Sequence, residues 1–202
     1  ISNSNFSIPD YFKKLMNFLF PLLILKISSS NKCYSGELII SNSTKEINKN
    51  EYFNCTEFIG SLNIPSSVIH IGEYAFYGCS GFSGLLNISK SVQSIGSHAF
   101  EGCSGFTGTL IIPDSISTIE SSSFSNCHGF SSLILSKNIH YIYSSAFYNC
   151  SGFTSLELPN SIRTIDESAF YGCSGFSCVL NIPNSVQSIG SHAFEGCSGF
   201  TG

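Results

Sequence analysis

The stretch Phe153 to Cys173 reads FTSLELPNSIRTIDESAFYGC, and the spacing of its apolar letters changes as it runs. Leu156 and Leu158 stand two apart, a strand spacing that puts both side chains on one face. Pro159 ends that strand because proline cannot donate to a ladder, and Asn160 and Ser161 make the turn. Ile162 and Ile165 stand three apart, which predicts a short, kinked second strand at a corner. Phe170 and Cys173, also three apart, share one side of a predicted helical turn, and Gly172 supplies the left-handed position that ends it. The stretch therefore aims Phe, two Leu, two Ile, Phe and Cys inward, yet it is far too small to bury them alone.

Neighbouring stretches solve that problem by repeating it. Cys55, Cys79, Cys103, Cys127, Cys150, Cys173 and Cys197 are separated by 23 or 24 residues, and Cys33 lies 22 before Cys55. Aligned on Cys, the units are a degenerate first one at 33–54, repeats at 55–78, 79–102, 103–126, 127–149, 150–172 and 173–196, and a partial unit at 197–202. The first apolar pair recurs as Leu62/Ile64, Leu86/Ile88, Leu110/Ile112, Leu133/Leu135, Leu156/Leu158 and Leu180/Ile182. The second recurs as Val68/Ile71, Val92/Ile95, Ile116/Ile119, Ile139/Ile142, Ile162/Ile165 and Val186/Ile189. Only stacked coils turn such units into one core. Units of 24 and 23 residues differ between Phe and the first strand, where an extra residue bulges outward without disturbing the inward set. One block, SVQSIGSHAFEGCSGFTG, occurs at Ser91 to Gly108 and again, unchanged, at Ser185 to Gly202. Folding pressure accounts for its apolar letters but not for surface Gln93 and His98 recurring as Gln187 and His192, which point to recent duplication.

The totals exclude some partners. Charged residues make up 11% of the chain, against roughly 25% in ordinary globular proteins, so Ser, Asn, Thr and Gly supply most of the polar surface. A net charge of -4 and the lack of a basic cluster beyond Lys13 and Lys14 argue against nucleic acid. Residues 1–32 differ from the rest. Lys13 and Lys14 precede the apolar run Leu15 to Leu25, and Ser28 to Asn31 follow, the order of a secretory signal. That run is too short to span a bilayer, which takes about 20 residues. The competing reading of the segment is a buried strand or short helix that caps the domain.

The repeating F-x-x-L-x-L-P-x-S-I-x-x-I-x-x-x-A-F-x-x-C resembles the leucine-rich repeat, and more closely its BspA-like variety, strongly from Cys55 to Gly202 and weakly from Cys33 to Asn54. Where an ordinary leucine-rich repeat carries its Asn ladder, this chain has Ser67, Ser91, Ser115, Ser161 and Ser185, with Asn138 the exception. The resemblance implies a right-handed solenoid with a parallel sheet, short helical turns and little helix. It also implies a non-catalytic surface or secreted protein that binds host proteins or matrix, with no cofactor and no small-molecule substrate. The contrasting expectation is a cytoplasmic scaffold or an inert structural array.

Candidate chemistry is sparse. Zinc needs close cysteine pairs, and only Cys173 and Cys178 approach one, without a second pair to match. One thiol per coil beside Phe reads as a small buried hydrophobe. Adjacent coils at about 4.8 Å also bring ladder thiols within disulfide range, so secretion would allow some to oxidise, with Cys178 left unpaired. His98 with His192, and His70 with His140, occupy repeat-variable surface positions separated by whole coils and cannot converge on one ligand. Asn42, Asn54, Asn87 and Asn149 begin glycosylation triplets that matter only after secretion. The first-strand outward column runs Asn63, Asn87, Ile111, Ile134, Glu157, Asn181, and two adjacent isoleucines are its least expected members. On the second strand Tyr141 and Arg163 are of types enriched in binding hot spots. The expected protein-binding strip is therefore Ile111, Ile134, Glu157, Tyr141 and Arg163.

Overall fold

The computed structural model describes residues 32–201; the signal-like run from Lys13 to Leu25 and the final Gly202 lie outside them. Within that range the chain is a parallel β-solenoid of stacked coils. The first-strand positions form β2 (Leu62–Ile64), β4 (Leu86–Ile88), β6 (Gly108–Ile111) and β8 (Phe130–Ile134), paired β2 to β4 and β6 to β8. The second-strand positions form two-residue strands: β1 (Glu46–Ile47), β3 (His70–Ile71), β5 (Ser94–Ile95), β7 (Thr118–Ile119), β9 (Tyr141–Ile142), β10 (Thr164–Ile165) and β11 (Ser188–Ile189). They assemble as β1-β3-β5 and β7-β9-β10-β11, always parallel to the neighbouring coil. The ladder between β6 and β8 shifts register between Gly108 and Thr109, in the segment where coil lengths differ, and the following pairs Leu110↔Leu133 and Ile111↔Ile134 stay aligned.

Two phenylalanine columns fill the interior. Phe76, Phe100, Phe124, Phe147 and Phe170 form one, with successive rings stacked at 5.1, 5.4, 5.7 and 5.2 Å. Phe58, Phe82, Phe106, Phe130, Phe153 and Phe176 form the other, all fully buried. Leu180, Ile182, Val186 and Ile189 of the last described coil were expected inside, yet Ile182 is 40% and Ile189 47% exposed because no described coil covers them.

Hydrogen bonding between coils has a direction. On the second-strand side a later coil donates to the earlier one, as in Gln93 N–H to Ile69 C=O (2.8 Å) and Gly96 N–H to Ile71 C=O (2.8 Å). At the closing turns the earlier coil donates forward: Tyr74, Phe76 and Gly78 N–H groups reach the carbonyls of Ser97, Ala99 and Glu101 at 3.1, 2.8 and 2.7 Å. The intervening Ala75, Tyr77 and Cys79 N–H groups bond three residues back, to Gly72, Tyr74 and Phe76. This alternation corrects the expected helical turn. A helix would send every N–H along its own axis, whereas here every second one must serve the next coil. Aiming it there requires positive φ at two places per coil, for example His98 (φ 59°) and Gly102 (φ 72°). Asn54, Asn126 and Asn149 fill the second place where Gly is absent, as the short polar side chain that best tolerates this conformation.

The glycine that precedes the second phenylalanine column has a different task. A Cβ on Gly105, Gly129, Gly152 or Gly175 would meet a carbonyl oxygen of the preceding coil at 2.0 to 2.3 Å. Gly129→Ala is expected to cost about 2 kcal/mol, because it pushes against backbone rather than a movable side chain; urea unfolding followed by circular dichroism measures it.

The serine column replaces the Asn ladder physically as well as in sequence. Ser91, Ser115 and Ser161 hydroxyls donate to the carbonyls of Val68, Val92 and Ile139 in the preceding coil at 2.9, 2.5 and 2.6 Å, and Asn138 donates to Asp114 C=O at 2.8 Å.

Candidate functional site

The cysteine column resolves into two kinds. Cys33 and Cys55 form a disulfide that ties the degenerate first unit to the next coil. From Cys79 onward the ladder thiols stay free, and each donates to a carbonyl of an earlier coil: Cys103 Sγ to Phe76 C=O at 3.0 Å, Cys127 to Phe100 at 3.1 Å, Cys150 to Phe124 at 3.0 Å. These thiols are therefore buried and reduced, each with its donor met by backbone rather than by a neighbouring sulfur. Burial pushes Cys79 and Cys150 up to about 12 from the usual 9.0. Cys178 is half-buried and unpaired. Iodoacetamide at mildly alkaline pH should label Cys178 and, at the last described coil, Cys197 in the native protein, and Cys79 to Cys173 only after unfolding. For Cys79 and Cys150 the folded pKa lies above the unfolded one, so their contribution is complete below about pH 9 and falls as pH rises toward 12. Alkaline melting curves check that sign.

His98 is less exposed than its variable position suggested. Its ring stacks on Tyr74 at 4.5 Å, and Nδ1 lies 2.5 Å from Glu101 Oε2; His192 and Glu195 repeat that side-chain contact. Among the described residues no three His, Cys, Asp or Glu side chains gather as metal ligands.

The glycosylation triplets sit in unlike surroundings. Asn42 lies exposed in a tight turn closed by Thr44 N–H to Ser41 C=O. Asn87 donates its amide to Asn63 Oδ1 at 2.7 Å. Asn54 and Asn149 hold left-handed backbone, and their amide oxygens press against Gly78 and Gly172.

The outward isoleucines come together. Ile111 of β6 and Ile134 of β8 are register partners, each 52% exposed. With Leu85, 47% exposed, they line a depression of about 960 Å³ with Ile112 and Pro113 at its base. Leu85 escaped the sequence reading, although its column (Ser61, Leu85, Thr109, Ser132, Ser155, Val179) is polar apart from Leu85 and Val179. The Asn63–Asn87 pair borders the depression on one side. Lys90 and Asp114 stand on its rim, and Lys137 holds Asp114 by a 3.1 Å ion pair and a 3.2 Å backbone N–H bond. That contact keeps the Asp114 carboxyl below the usual carboxylate range. Covering the two isoleucines would supply about 2 kcal/mol, enough for an anchor but not for a whole interface.

The remaining strip residues fall elsewhere. Glu157 is exposed in the next coil, outside any strand. Tyr141 and Arg163 belong to the second-strand side, with Tyr141 stacked on Tyr143 at 6.2 Å and Arg163 N–H donating to His140 C=O. A separate aromatic group on the closing turns also went unread: Phe53 stacks on Tyr77 at 4.9 Å, and Lys49 lies over the Tyr74 ring. No described helix is long and apolar enough to cross a membrane.

Comparison with known proteins places this architecture. Among curated proteins none matches the chain. A leucine-rich repeat protein of Treponema pallidum is 29% identical over 78% of this chain and 72% of its own, with a TM-score of 0.70. A leucine rich cell surface protein of Faecalibacterium prausnitzii is 26% identical over 85% of this chain, with a TM-score of 0.71. A leucine-rich repeat protein from Eubacterium ventriosum is 25% identical over 88% of this chain, with a TM-score of 0.70. The chain spans about half the length of the last two, 47% and 46%. The BspA type leucine rich repeat region matches in six copies over residues 26–107 and 82–201. With that match spread across nearly all its coils, and with the coil geometry to go with it, the chain belongs to the BspA-type leucine-rich repeat family.

Proposed function

We propose that this chain is a secreted or surface-displayed, non-catalytic module that binds a protein partner, a host surface or matrix protein, through the depression at Ile111 and Ile134. The observation that carries the reading is the exposed apolar pair itself. Every core demand of these coils is met by inward residues, so folding gives no reason for isoleucine where the two preceding coils carry Asn63 and Asn87. The Cys33–Cys55 bridge favours an oxidising compartment over the cytoplasmic scaffold. A thiol count on the unfolded, unreduced protein from its native host separates the two, with seven free thiols expected for the bridged form and nine for a reduced one.

The binding test uses asparagine, because that residue already occupies the column. Ile111→Asn with Ile134→Asn should leave the melting temperature nearly unchanged and reduce partner capture from host-cell surface extracts by about tenfold or more. A photo-crosslinker at Thr109, beside the depression, should trap the same partner, and one at Ser177 should not. Unchanged capture by the double variant would overturn the reading.

A further inference from the structure

We infer that the partner segment seated in this depression is acidic as well as apolar, which rests on the reading of the depression as the binding surface. Charge placement carries the inference. From residue 51 to 202 the chain has ten acidic residues and only three cations, Lys90, Lys137 and Arg163. Two of those three stand at the edge of the one depression that holds two exposed isoleucines. Lys137 is engaged by Asp114, whose charge it offsets; Lys90, exposed and lining the depression, makes no ion pair among the described residues. The local balance is therefore positive on a chain of net charge -4. A basic partner would gain from the chain at large and lose at this spot, whereas an acidic one is repelled until it reaches it. Such an arrangement orients an encounter and discriminates between partners more than it adds affinity.

The groups a partner would meet fall in two sets. Leu85, Ile111 and Ile134, one from each of three successive coils, offer an apolar ridge, and Lys90 offers an ammonium beside it. The complementary segment carries apolar side chains on one face and a carboxylate next to them.

The probes are three labelled, soluble peptides of one apolar pattern, flanked by glutamate, by glutamine or by lysine, with binding read by fluorescence anisotropy on the full chain. The glutamate peptide should bind about tenfold more tightly than the glutamine one, and the lysine peptide should bind worst. Lys90→Gln should erase most of that difference, and added salt should narrow it. Equal binding of all three peptides, lost in the Ile111→Asn/Ile134→Asn variant, would overturn the acidic preference and leave the docking surface standing. Failure of all three to bind, or binding indifferent to the double variant, would overturn the inference. In that case the crosslinking at Thr109 decides separately whether the depression binds protein. Lys90 is an exposed side chain in no part of the core, so its replacement leaves folding intact.

Discussion

Phe124→Ala is expected to lower stability by about 4 kcal/mol. Phe124 is fully buried near the middle of its column, with Phe100 at 5.4 Å on one side and Phe147 at 5.7 Å on the other. Its removal leaves a hole between coils that their backbones cannot close, because the forward bond from Phe124 N–H to Ala146 C=O (2.9 Å) fixes their separation. A solenoid adds a consequence that a globular core lacks. Stability is a sum over neighbours, so a weak interface at its centre should split unfolding into two steps. Phe200→Ala, on a half-buried ring at the last described coil, should cost about 1 kcal/mol and leave one transition. Urea titrations followed by circular dichroism distinguish these outcomes, and a cost below that of Phe200→Ala would contradict the stacked column.

Reducing Cys33–Cys55 is the second large effect, about 3 kcal/mol, for a bridge closing a sequence separation of 22. The loss should be local. The first unit is held to the next coil by the bridge, by the Tyr34–Phe58 edge contact at 5.2 Å, and by Gly36 N–H to Glu57 C=O, with Leu38 and Ile40 buried. Hydrogen exchange after mild reduction should therefore rise across 33–54, while the coils from 103 to 149 keep their protection. Uniform acceleration along the chain would show that the bridge stabilises the array as a whole instead.

The inward columns were legible because two spacings, two residues and then three, recur with little variation and meet one requirement, burial. The register followed from the same letters, including the place where a 23-residue coil meets a 24-residue one. The closing turn was not legible for a specific reason. Phe and Cys three apart fit a helical turn and a run of three-residue turns equally well, and what selects the second is the carbonyl of the next coil, absent from any single unit. Ser91 and its equivalents gave their position but not their bond. The surface was legible only as columns. Ile111 and Ile134 stood out against Asn63 and Asn87, but Leu85 joins them from a different column, while Tyr141 and Arg163 lie on the second-strand side to which their spacing assigned them. Periodicity says which residues point outward; it does not say which outward residues from different strands share a patch.

The directional bonding between coils has a genetic consequence. Each coil receives at its closing turn the same set of bonds that it passes on, so its two faces fit any other coil built to the pattern. The identical blocks at Ser91 and Ser185 begin 94 residues apart, four whole coils. Recombination between them would remove or add those coils and leave a junction built to the same repeat pattern. Array length can therefore change by whole coils, and Ile111 and Ile134, which lie between the two blocks, would be lost or doubled together, whereas Leu85 and Lys90, which precede the first block, would stay single.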